Sequence, residues 1–183
     1  MLRKLKKLND LALLDPPPSL RKNKMKQSPE DALNSLHQTA QSVFLSTVTL
    51  DGQPNGSYAP FLLDEKGDFY IFISQLASHT QDLLNNSQVA ILLMEDEQDT
   101  RQIFARKRAS YLCNCSVISK DDMNYVALLD LFELRFSNII SLLRTLPDFI
   151  LFKLEIQSGD FVQGFGKAYK ITKDGLIQKD PSA

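Results

Sequence analysis

The stretch FYIFIS, Phe69 to Ser74, does most to limit what this chain can fold into. Side chains of a strand alternate between its faces, so Phe69, Ile71 and Ile73 point one way and Tyr70 and Phe72 the other, and all five are apolar. Such a strand needs cover on both sides, as in the wall of a closed barrel with a helix or a second subunit outside it. VAILLM, Val89 to Met94, reads as a second strand of the same two-sided kind. A chain of 183 residues with 43% hydrophobic content is long enough to bury one core around these strands, and no repeat or low-complexity stretch points to an array. The expectation is a mainly β (α+β) protein with flanking helices. Residues 27–183 read as a single domain and residues 1–26 as a mobile basic leader.

FYIFIS runs directly into QLASHTQDLL, in the order strand, turn, helix. A helix N-terminus exposes unpaired N–H groups and carries roughly +0.5 charge, so Ser78, His79 and Thr80 at that end form a seat for a phosphate or carboxylate. The plainer alternative is that Ser78 caps a surface helix. A second basic feature lies in Arg101 to Ile118, read as one long, bent strand. Alternation there puts Phe104, Arg106, Arg108 and Ser110 on one face and Ala105, Tyr111, Cys113, Cys115 and Val117 on the other, which sends the cysteines to the core. Arg106, Lys107 and Arg108 form either a solvated strand edge or the other half of an anion site opposite the Ser78 turn. Charge-assisted hydrogen bonds contribute roughly 1.5 to 3 kcal/mol each, so two arginines and a helix end would hold a phosphate firmly.

The remaining elements follow from local chemistry. Leu2, Leu5, Leu8, Leu11 and Leu14 recur every third residue among basic clusters, a short amphipathic helix that Pro16, Pro17 and Pro18 stop. Ser28-Pro29-Glu30-Asp31 opens a helix with Leu33, Leu36 and Ala40 on its apolar face and His37 beside that stripe. SVFLSTVTL and QPNGSYAPFLL, joined by Asp51-Gly52, form a hairpin, and Asp64 to Gly67 makes the turn into FYIFIS. Ser119 is expected to cap a helical stretch running to about Leu146, broken at Phe136-Ser137-Asn138. FILFKLEI and DFVQGFGKAYKI then make a final hairpin.

Composition narrows the function classes. A net charge of −1 excludes a protein built mainly to neutralise nucleic-acid phosphates. Two histidines and one CxC pair fall short of a zinc site, so no metal ligand is assigned. Neither a phosphate loop nor a GxSxG elbow occurs. The most apolar region, Asn138 to Phe152, is interrupted by Arg144, Pro147 and Asp148, well short of the ~20 apolar residues of a membrane span. Cysteine usage points to a reducing, cytoplasmic setting.

Five segments together carry a resemblance: PNGSYAPF at 54–61, FISQLASHTQDLLNNSQVAILLMEDE at 72–97, IFARKR at 103–108, LPDFILFKL at 146–154 and GFGKAY at 164–169. In this order and register the chain resembles the HugZ/HutZ-type haem-utilisation proteins, within the pyridoxamine-phosphate-oxidase-like group of FMN-binding split barrels. The resemblance implies a homodimer of six- to seven-stranded split barrels with the ligand near the subunit interface, and oxidative haem cleavage with iron release as the activity. By the same resemblance, Ser74, Ser78, His79, Thr80, Arg106, Lys107 and Arg108 approach the cofactor, either an FMN phosphate or haem propionates, and Asp148 belongs to the catalytic hydrogen-bond network. The haem-degrading members also carry a C-terminal histidine on the iron, whereas in this sequence no histidine follows His79. The alternatives are an FMN-dependent oxidoreductase and a haem carrier without turnover.

Overall fold

The computed structural model describes residues 27–172 and 174–179, and the leader expected at residues 1–26 lies outside them. Helix α1 (Pro29–Thr39) begins where the sequence indicates: the Ser28 hydroxyl accepts from the Asp31 N–H at 3.0 Å and Pro29 occupies the first turn. The strands are β1 (Ser42–Val48), β2 (Pro54–Leu63), β3 (Phe69–Ser74), β4 (Gln88–Met94), β5 (Arg108–Ile118), β6 (Phe149–Gly164), β7 (Lys167–Thr172) and β8 (Gly175–Gln178). Helix α2 (Ser78–Asn85) joins β3 to β4, and helices α3 (Tyr125–Phe136) and α4 (Ile139–Leu143) join β5 to β6.

All the pairings are antiparallel, in the order β3-β2-β1-β4-β5-β6-β7-β8, and β3 also pairs with β6. That extra pairing closes six strands into a barrel, with β7 and β8 continuing the sheet beyond it. The barrel interior holds Phe61, Phe69, Ile71, Ile91, Leu93, Phe152, Leu154 and Phe161, joined by the buried Cys113 and Cys115 as expected. Burial pushes both thiols up to about 12, so they remain protonated.

Strand β3 is buried on both faces, and the second face explains α3 and α4. Tyr70 and Phe72 pack outside the wall with Leu62 and Leu151 against Leu129 and Phe132 of α3 and Ile140 of α4. Fully burying a side chain of that size contributes ~1.5–3 kcal/mol, which holds the helices on the barrel. Ser137, at φ 64°, makes the expected break between them.

Four sequence expectations are corrected. Strand β4 is buried on one face only, because among the described residues no helix covers Ala90 and Leu92 outside the barrel. β5 starts at Arg108, not Arg101: Ile103–Ala105 forms a 3-10 turn in which the Gln102 side chain accepts from the Phe104 N–H at 3.3 Å, and Val117 is exposed. α3 starts at Tyr125 rather than at Ser119, whose hydroxyl caps only a turn by accepting from the Asp121 N–H. FILFKLEI and DFVQG are one continuous strand, with the hairpin turn at Phe165-Gly166.

Gly159 lets β6 run straight through. It pairs with Tyr111 on one side and Ile171 on the other, and a Cβ there would meet the Tyr111 ring at 2.7 Å. The same tyrosine contacts Phe69 at 5.4 Å between ring centroids, and its hydroxyl lies 2.5 Å from His37 Nε2, tying α1 to the barrel. Burial lowers the His37 pKa to about 4. Gly159→Ala should lower unfolding free energy by ~1–3 kcal/mol in denaturant titration, since a rigid ring must move. His37 stays neutral in the folded chain but protonates near 6.5 when unfolded, so its stabilisation is complete above pH 6.5 and is lost as pH falls towards 4. Replacing it by His37→Gln should remove up to ~3 kcal/mol of acid sensitivity across that window, measured as wild-type minus variant stability at each pH.

Candidate functional site

The turn after β3 is built by hydroxyls. Ser74 Oγ donates a short hydrogen bond to Asp148 Oδ2 and accepts from the Leu76 N–H at 3.1 Å, while the Gln75 N–H donates to the Asp148 carbonyl at 2.8 Å. The Thr80 hydroxyl, buried, donates to the Ser74 carbonyl at 2.6 Å. Asp148 reaches this turn because it directly precedes Phe149, which pairs with Ser74. Five of the residues named from sequence, Ser74, Ser78, His79, Thr80 and Asp148, therefore gather at one end of the barrel.

Helix α2 does not use Ser78 as its cap. The N-cap is Ala77, which has no side-chain acceptor, and Ser78 is the first helical residue. Its hydroxyl accepts from Asn55 Nδ2 at 3.1 Å. The helix is anchored by Asp82, a buried carboxylate absent from the sequence-derived set. Asp82 Oδ2 accepts from Thr47 Oγ1 and from Asn55 Nδ2, each at 2.7 Å. An acid beside Leu83 on the inward face of a short helix was the available signal, but only the β1–β2 hairpin supplies its donors. Burial lowers the His79 pKa, and the neighbouring Asp82 opposes that shift.

The basic segment lies elsewhere. Arg106 Nε donates to the Glu95 carbonyl at 2.5 Å and Arg106 Nη1 to Glu97 at 3.0 Å, while Lys107 pairs with Glu95 at 3.1 Å. Both line an open cleft of about 1390 Å³ beside α1, whose other charged walls are Asp31, Asp96 and Asp99. With its cations already paired, that cleft is a poor receiver for an anion. Arg108 instead lines a groove of about 420 Å³ with Phe104, Phe165, Lys167 and Lys179.

One chain does not bring the two halves together. Arg108 pairs with Val162 near one end of β6 and Ser74 pairs with Phe149 at the other, roughly 40 Å apart along the strand at ~3.3 Å per residue. The expectation that Arg106–Arg108 face the Ser78 turn is not met within a protomer. Among the described residues, no group of three or more His, Cys, Asp or Glu side chains could hold a metal ion, and no helix is long and apolar enough to cross a membrane.

Comparison with known proteins bears on the fold and the family. Residues 29–163 match the family described as Pyridoxamine 5'-phosphate oxidase. The chain is 37% identical over 148 residues to a Vibrio cholerae protein named heme oxygenase HutZ, covering 81% of this chain and 84% of that one. A crystal structure of Vibrio cholerae HutZ, there called a heme storage protein, matches with TM-score 0.70 and 34% identity over 76% of this chain and 97% of its own. The Campylobacter jejuni ChuZ structure matches with TM-score 0.76 and 32% identity over 84% of this chain, which spans 63% of that ChuZ chain. A closed six-stranded barrel carrying this level of identity places the chain in the pyridoxamine 5'-phosphate oxidase family of split barrels, in its HutZ-type haem-utilisation branch.

Proposed function

We propose that this protein is a haem-utilisation enzyme that binds haem as substrate at the interface of a homodimer and takes part in its oxidative degradation with release of iron. The observation that carries this reading is the division of the site. The Ser74–Asp148 turn and the Arg108 groove lie at opposite ends of β6, so a second copy is the simplest means of apposing them.

A sheet face left uncovered by the described residues supports the second copy. On the outside of β2, β1, β4 and β5, Tyr58 stands opposite Phe44, Phe44 opposite Leu92, and Ala90 opposite Leu112. Phe44 is 51% and Tyr58 67% exposed, flanked by the small residues Gly56, Ser46 and Ala90 that allow a second sheet to approach closely. The two free buried thiols fit a cytoplasmic setting.

The residues present fit haem in two respects. The groove joins aromatic faces to cations, as a flat dicarboxylate requires. Asp148 is oriented by Ser74 through Oδ2, which leaves Oδ1 to accept from a water or a ligand donor. Haem would supply the iron at which oxygen is activated; the chain binds the ring and presents the Asp148 carboxylate, oriented by the Ser74 hydroxyl. Binding energy needs such polar anchors. Burying ~300 Å² of ring at ~25 cal/mol per Å² gives roughly 7 kcal/mol, against an association cost of ~4 to 15 kcal/mol.

The FMN reading ranks second. It needs hydroxyl donors at the start of α2, but the Ser74 and Thr80 hydroxyls already bond to Asp148 and to the Ser74 carbonyl, leaving mainly Ser78 and the backbone N–H groups.

Parallel absorption titrations with haemin and FMN test the assignment. A stoichiometric Soret band that decays with ascorbate and oxygen is expected, and tight FMN binding without a haem band would replace haem by flavin chemistry. Asp148→Asn should keep haemin affinity within a few-fold while slowing decay by about 10²-fold, the scale of proton-transfer catalysis. Decay at the wild-type rate would remove Asp148 from the reaction. Sedimentation should give a dimer for the wild type, and Phe44→Asp should yield monomers that no longer bind haemin; a monomeric wild type that binds haemin would refute the interface site.

A further inference from the structure

Helix α3 is apolar on every side, although it lies at the surface. Of its residues only Asp130, Glu133 and Arg135 are charged. Leu129 and Phe132 pack on the barrel wall, with Leu128 and Phe136 against the same cluster. At 100° per residue the opposite arc holds Val126, Ala127, Asp130, Leu131 and Leu134, all exposed, Leu134 to 84%. Among the described residues nothing covers this arc. A helix with two apolar faces belongs between two layers, and the described fold supplies only the inner one. The face proposed for the second copy, around Phe44 and Tyr58, lies on strands and leaves α3 out.

The chain itself holds a segment of matching length and complementary charge. Read as a helix, Leu2 to Leu14 is about 20 Å long, against about 18 Å for α3. Leu5, Leu8 and Ala12 then share one face with Leu2 and Leu11 at its margins, and Arg3, Lys6, Lys7 and Asp10 lie opposite. A helix so short is marginal in water and needs a surface to pack on. The described chain begins at Gln27, whose carbonyl accepts from Gln163 Nε2 at 3.0 Å, and α1 carries it about 20 Å to Ala40. There the Ala40 carbonyl accepts from Arg135 Nη2 at 2.5 Å, at the C-terminal end of α3. Residues 15–26 span about 40 Å when extended, enough to bring Leu14 from Gln27 to that end. Leu2 then falls towards Val126, and the basic cluster Arg3 to Lys7 comes beside the turn that holds Asp121 and Asp122. Both acids are exposed, and among the described residues no salt bridge engages either.

We propose that residues 2–14 form a helix that docks on the outer face of α3 of the same chain. Its leucines cover Val126, Leu131 and Leu134, and its lysines reach the acidic turn before α3 from the margin of the apolar face. The wall over β3 and β6 then has three layers: strand, α3 and leader. α3 covers Tyr70 and Phe72 of the strand whose last residue, Ser74, holds Asp148, so the docked leader braces the side of the barrel that builds this turn. The docking does not depend on which ligand the protein takes.

Amide hydrogen exchange on the full chain, without ligand, tests this. Amides of residues 5–14 should exchange at least about tenfold more slowly than in an unstructured peptide of the same sequence. Leu134→Asp on α3 and Leu8→Asp in the leader should each return them to the unstructured rate, while amides of β3 and β6 exchange as in the wild type. Cross-linking identifies the occupant. With Leu8→Cys and Leu131→Cys in one chain, mild oxidation should form a disulfide within that chain, because Cys113 and Cys115 are buried and leave the added pair to react. A disulfide formed only between chains would assign the face to a second copy and overturn the proposal. Leader amides at the unstructured rate in the wild type would overturn it too, and protection gained only on adding phosphatidylglycerol vesicles would replace α3 by a lipid surface. Protection that survives Leu134→Asp would overturn the outer face of α3 as the docking site.

Discussion

The pairing of β3 with β6 is the constraint on which the rest of the structure depends. Without it the eight strands are an open sheet with β3 at one edge, exposing unpaired N–H and C=O groups on the most apolar strand in the chain. With it the edge disappears, Phe69 and Ile71 enter a closed core, and Tyr70 and Phe72 become an outer surface that α3 and α4 cover. The same contact has a chemical consequence. Because Ser74 stands opposite Phe149, the residue just before it, Asp148, is delivered to the turn that opens α2. Barrel closure and assembly of the Ser74–Asp148 turn are therefore one event.

That economy leaves the Ser74–Asp148 turn and the Arg108 groove at opposite ends of one strand. Antiparallel β6 carries Asp148 at its start and the aromatic, cationic groove near its end, and its length keeps them apart. Among the described residues nothing covers the outer face around Phe44, Tyr58, Ala90 and Leu112, while the outer face around Leu62, Tyr70, Phe72 and Leu151 is sealed by helices. Hydroxyls that looked available for a phosphate are instead hydrogen-bond partners of the turn itself, which shifts the balance from flavin to haem.

Elements governed by short-range rules were legible before the fold was known. The Ser28-Pro29 helix start, the Asp51-Gly52 hairpin, the break at Ser137 and the inward cysteines of β5 each follow from capping, turn geometry or alternation over a few residues. The failures share a different cause. Arg101 to Lys107 alternates plausibly as a strand, yet Gln102 caps a tight turn there and Glu95 and Glu97 capture Arg106. VAILLM reads as two-sided because its composition does not record that, among the described residues, the outer helices lie over β2, β3 and β6 and not over β4. Asp82 went unseen because its donors, Thr47 and Asn55, lie on another hairpin.

By itself, then, the sequence determined the local elements, the mainly β class, the two-sided burial of β3 and, through five motifs in register, the family. Those properties are set by alternation, capping and turn preferences acting among neighbours in the chain. Only the tertiary structure decided which residues share a site: that Ser74 and Asp148 meet, that Arg106 is held by acids while Arg108 opens onto a groove, and that Phe104 and Phe165 line it together. Such meetings depend on strand register and barrel closure, where a one-residue shift would exchange inside for outside, and no short stretch of sequence encodes that choice alone.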